Sequence, residues 1–101
     1  MVAVRFLDGL VVALGARGWH FVRLYRMKGF AVPLLWVYPC RVENLGVVVS
    51  ARAVPGEGWV YYEARRGERE YLCPCGDAGE GAELVGRLLR DRILAVVTAE
   101  G

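Results

Sequence analysis

Histidine is almost missing from this chain of 101 residues, with His20 the single example. Small enzymes commonly run acid–base chemistry through a histidine beside an orienting carboxylate, and no cluster of histidine, acid and nucleophile stands in the sequence. Catalysis is therefore not the leading expectation, and no cofactor is implied. Cysteine is scarce and odd in number (Cys40, Cys73, Cys75), whereas an extracellular disulfide framework normally uses an even count. A reducing cytoplasm is the expected home. Long apolar runs are lacking too. The longest uncharged one, Phe30 to Cys40, has 11 residues and two prolines, against about 20 for a bilayer-spanning helix. That excludes a transmembrane helix and with it a membrane role. Leu10 to Ala16 has the look of a weak signal-peptide core, but Arg5 and Asp8 before it cancel the positive charge such a leader carries.

Hydrophobic residues make up 55% of the chain and charged residues 24%, the balance of a folded protein. One domain over residues 1–101 is expected, removing about 65% of the extended-chain surface from water. Charge is unevenly spread. Between residues 16 and 53 stand Arg17, Arg23, Arg26, Lys28, Arg41 and Arg52 against Glu43 alone, whereas residues 54–101 are net acidic. Such asymmetry steers an acidic partner or favours association of two copies. Lys28 is the only lysine. Arginine grips carboxylate or phosphate through a planar fork, although genome composition explains the bias as simply.

From Val2 to Ala16, Phe6, Leu7, Leu10, Val11 and Leu14 recur at helical spacing, with Gly15 and Gly18 to end the helix. Trp19 to Met27 alternates as a strand, with either His20, Val22 and Leu24 or Trp19, Phe21 and Tyr25 turned to the core. Ala31 to Tyr38 and Gly46 to Ala53 read as apolar strands, the first limited by Pro33, which lacks an amide donor. Trp59 to Arg65 and Glu70 to Cys73 form an aromatic hairpin, turning at Arg66 to Arg69 with Gly67 suited to positive φ. Asp77 to Gly81 reads as a connector able to cap a helix from Ala82 to about Leu94.

The fold class expected is α+β: an antiparallel sheet of four or five strands with an N-terminal and a C-terminal helix on one face. The sequence makes that sheet apolar on both sides. Val32, Leu34 and Trp36 oppose Ala31, Leu35 and Val37, and Val48 opposes Val47 and Val49. Burial of each such side chain is worth roughly 1.5–3 kcal/mol, so a face left wet drives association. A homodimer, or docking on another protein, is the main expectation. Interface candidates are Trp36, Tyr38, Trp59, Tyr61 and Tyr62, with Arg23 and Arg26, since aromatic and arginine side chains dominate interface energetics.

The helix ending in Arg17-Gly18-Trp19, the strand Pro33-Leu34-Leu35-Trp36-Val37, the Gly58-Trp59 strand running to Gly67-Glu68, and the last helix with Ala82-Glu83-Leu84-Val85 together resemble a loose group of small, functionally uncharacterised actinobacterial proteins. The resemblance covers most of the chain and implies genes often placed near helix-turn-helix regulators. It supplies no catalytic residue.

Two further constellations stay open. Cys73-Pro74-Cys75 with Cys40 and His20 would make a three-cysteine, one-histidine zinc set, or a redox-active thiol pair, but paired zinc cysteines usually have two to four residues between them, and here Pro74 alone intervenes. Small apolar filling is the plainer reading. Arg23, Arg26, Lys28, Arg41 and Arg52 interleave with Tyr25, Phe30, Trp36 and Tyr38 in the manner of a sheet that stacks single-stranded nucleic acid. A sequence pI near 8.6 is modest for such a binder, and a solvated basic edge accounts for it equally.

Overall fold

A computed structural model of the chain describes residues 2–26, 29, 31–39, 45–65 and 68–100, with side chains as far as Val96. Cys40, Arg41, Lys28, Phe30 and the turn residues Arg66 and Gly67 lie outside that set. The elements run α1 (Val2–Ala16), β1 (His20–Leu24), β2 (Leu34–Tyr38), β3 (Val47–Val54), β4 (Gly58–Arg65), β5 (Glu68–Pro74) and α2 (Ala78–Glu100). The strands form one antiparallel sheet in sequence order. This is the α+β arrangement that the alternating and helical periodicities predict.

Helix α1 stops where its residues allow it to. Gly18 takes φ +83°, and the amides of Gly18 and Trp19 donate to the carbonyls of Gly15 and Leu14. That pair of bonds satisfies carbonyls the helix end would otherwise leave bare. The chain then enters β1. There the second of the two predicted faces is the inner one, with Phe21 and Tyr25 packed on the core.

Both helices lie on the same face of the sheet. Leu7, Leu10, Val11 and Leu14 of α1 and Ala82, Val85 and Leu89 of α2 pack with Leu35, Val37, Val47, Val49, Ala51, Tyr61 and Cys73. Every second strand residue is thus taken up, as the pleat requires. Tyr61 ties the layers together. Its side chain is 1% exposed, and its hydroxyl donates to the carbonyl of Phe6 at 2.7 Å.

Helix α2 begins four residues earlier than the sequence suggests. Asp77 is its cap, accepting a hydrogen bond from the Glu80 amide at 3.1 Å. Gly79 and Gly81 are helical rather than part of a connector. The reason at Gly81 is close approach: a β-carbon there would stand 3.1 Å from Leu10 and 3.2 Å from the Tyr61 ring. Glycine lets α2 settle against α1 and the sheet at once.

Strand β2 starts at Leu34, after Pro33, and not at Ala31. Ser50 of β3 completes that junction, its hydroxyl donating to the Pro33 carbonyl at 2.6 Å. Between β4 and β5 the register shifts, Tyr61 pairing with Cys73 but Tyr62 with Tyr71. Leu72 is the extra residue of a bulge. It packs against the core, and Tyr71 is sent to the opposite face beside Tyr62.

Candidate functional site

The face without helices is the candidate site. Cross-strand pairing places His20, Val22 and Leu24 of β1 beside Leu34, Trp36 and Tyr38 of β2, then Val48, Ser50, Arg52 and Val54 of β3, Val60, Tyr62 and Ala64 of β4, and Arg69 and Tyr71 of β5. Leu34, Ser50, Val60 and Tyr62 are already buried on it, and much of the remainder is apolar with no helix over it. Val22, Leu24, Trp36, Tyr38, Val48 and Val54 are half-buried, and Val32 is exposed at its rim.

Aromatic rings on this face pack on one another. His20 stacks on Tyr38 with centroids 5.6 Å apart, and Trp36 leans on Tyr38 at 4.8 Å. Tyr62 is only 5% exposed, and the Arg52 guanidinium lies 5.9 Å from its ring centroid, within cation–π range. Tyr71, 56% exposed, stands free beside it. Two open hollows flank Tyr62. Arg52, Val54, Glu57, Val60 and Tyr71 line one, Ala31, Val32, Ala64, Arg65 and Glu68 line the other, and Tyr62 and Arg69 border both.

The interface candidates separate by face. Trp36, Tyr38 and Tyr62 share the open face. Tyr61 does not: it belongs to the core, and its burial beneath α1 overturns its assignment to a contact surface. Trp59 also lies on the helix side, its ring 5.7 Å from that of Phe6. Arg23 is likewise turned to that side, where it donates to Asp8 at 3.3 Å. The Tyr25 hydroxyl donates to the same carboxylate at 2.9 Å. Burial first, and then Asp8, push the Tyr25 phenol up to about 12. Arg26 is exposed in the bend after β1.

The zinc arrangement of His20 with Cys73 and Cys75 is not assembled. His20 is on the open face, whereas both cysteines are buried on the helix face. Among the described residues no group of three or more metal-ligating side chains comes together. Burial raises the Cys73 thiol to about 11, aided by Glu80 and Asp77, and the Cys75 thiol to about 12, aided by Cys73. Such thiols are protonated near neutrality and are poor nucleophiles. Filling the core is what they do. Glu63 is on the helix face as well, away from His20, held by Arg92 at 2.6 Å and Arg65 at 3.2 Å.

Sequence reasoning missed Tyr71 and Arg69 as members of the open face. Plain alternation from Cys73 turns Tyr71 inward, and only the bulge at Leu72 reverses it.

The chain matches no known protein-family profile, no curated protein and no solved structure. No helix among the described residues is long and apolar enough to cross a membrane.

Proposed function

We propose that the protein is a non-catalytic interaction module whose helix-free sheet face is covered by another protein chain. The observation that carries this reading is the apolar and aromatic surface running over β1 to β4, from Val22 and Leu24 through Trp36, Tyr38 and Val48 to Val54, with both helices on the other side. Contiguous apolar surface of this kind marks sites of association. A photo-crosslinking amino acid at position 48, on the open face, is expected to join the protein to another chain in the cell. The same probe at position 12, on the solvent side of α1, is expected to give none. Equal yields from both positions would overturn the reading.

A second reading, single-stranded nucleic-acid binding, draws support from Arg52, Arg69 and His20 standing among Trp36, Tyr38, Tyr62 and Tyr71. Base stacking needs free ring faces. Here Tyr62 is nearly buried under Arg52, and Trp36, Tyr38 and His20 are packed together. Protein contact is therefore favoured. Oligonucleotide binding that weakens steeply with salt would reverse that preference.

A further inference from the structure

We infer that the partner on this face is an extended acidic segment of another protein, carrying a carboxylate residue between two apolar ones in the pattern apolar-x-acidic-x-apolar. The inference rests on the proposed interaction role of the open face and names its occupant.

Charge argues first. Arg52 and Arg69 are exposed and flank β4 from its two neighbouring strands. Among the described residues neither is in a salt bridge or side-chain hydrogen bond. Arg65, by contrast, is engaged by Glu63 and Glu70. The carboxylates near the two free forks are Glu57 in one hollow and Glu68 in the other. A twofold dimer sets a patch against its own copy. With Arg52 on the central strand of five, a face-to-face twofold with its axis along β3 would bring the guanidinium groups of two copies together and strip their water, which like charges make unfavourable. A partner bearing carboxylates has the opposite effect, each guanidinium fork donating to a planar carboxylate.

Shape argues second. The hollow lined by Val54, Val60 and Tyr71 and the hollow lined by Val32 and Ala64 lie on either side of Tyr62, and Arg69 borders both. Val60 and Ala64 are four residues apart on β4, about 14 Å at the rise of a strand. In an extended peptide, side chains at i, i+2 and i+4 point the same way over that same distance. Two apolar side chains then seat in the hollows, and the acidic one between them meets Arg69, with Arg52 across the Tyr62 ring.

The test is selection of a random-peptide phage library on the immobilised full-length chain, in parallel with its Arg69→Ala variant. The expected result is enrichment of peptides with Asp or Glu between apolar residues two positions to each side. Their affinity should drop about tenfold or more in Arg69→Ala, as loss of a charge-assisted hydrogen bond does, and weaken with added salt. No enrichment, enrichment of uncharged sequences, or equal binding to Arg69→Ala would overturn the inference. A dimer seen by light scattering and dissociated by Val48→Lys would also overturn it while leaving the interaction role of the face intact. Salt-sensitive oligothymidylate binding lost in Arg52→Ala and Arg69→Ala would sink both.

Discussion

The Arg92 guanidinium donates to the Glu63 carboxylate at 2.6 Å and to the Gly46 carbonyl at 3.1 Å, joining the second half of α2 to β4 and to the residue that leads into β3. Glu63 is 3% exposed, so Arg92 and Arg65 are what make its burial tolerable.

Removing Arg92 therefore costs stability. Arg92→Leu leaves Glu63 to Arg65 alone, and a loss of about 2 kcal/mol is expected, measured by urea unfolding. The double variant Arg92→Leu, Glu63→Leu should recover much of that loss, because no buried charge is then stranded.

Alkali should unfold the protein through its thiols. The folded-state values of Cys73 and Cys75, about 11 and about 12, stand above the ordinary thiol value of 9.0. Between those limits the native state binds more protons than the unfolded chain, so stability is full below about pH 9 and falls as pH rises toward 12. Tyr25, raised from 10.0 to about 12, adds to the fall in the upper part of the window. In a Cys40→Ser background, a thiol reagent at pH 8 should react with Cys73 and Cys75 only after denaturant is added. Circular dichroism against pH should show a shallower alkaline decline once both cysteines are replaced by alanine.

Gly46 is a packing glycine. A β-carbon on it would fall inside van der Waals contact of the Trp36 indole nitrogen, so Gly46→Ala must displace that ring. About 1–3 kcal/mol of stability should be lost. With Trp19 and Trp59 replaced by phenylalanine, Trp36 emission should move toward longer wavelength.

Adjacent residues on β3 should respond in opposite ways. Val49 is fully buried under the helices, and Val49→Lys is expected to cost more than about 4 kcal/mol. Val48 faces the open side, and Val48→Lys should cost less than about 1 kcal/mol while abolishing partner binding. Equal losses in thermal unfolding would show that both faces are core.

Much of this architecture is legible in the residues themselves. The spacing of Leu7, Leu10 and Leu14 marks α1, and alternation across Val47, Val48 and Val49 gives a strand apolar on both sides. What alternation cannot show is a break in its own rhythm. The bulge at Leu72 sends Tyr71 outward, and the assignment of Tyr61 to a surface failed because an aromatic hairpin looks the same from either face. Gly79 and Gly81 read as loop because glycine disfavours helix, yet Gly81 is set by contact with Tyr61 and Leu10. The Glu63–Arg92 pair joins residues 29 positions apart, and nothing local announces it.

The most direct measurement is chemical-shift mapping of the isotope-labelled full chain titrated with the peptides selected on it. Saturable shifts centred on Val48, Arg52, Val60, Tyr62, Arg69 and Tyr71 are expected. Shifts confined to the outer side of α2, around Glu80, Glu83 and Arg87, would contradict the assignment of function to the open sheet.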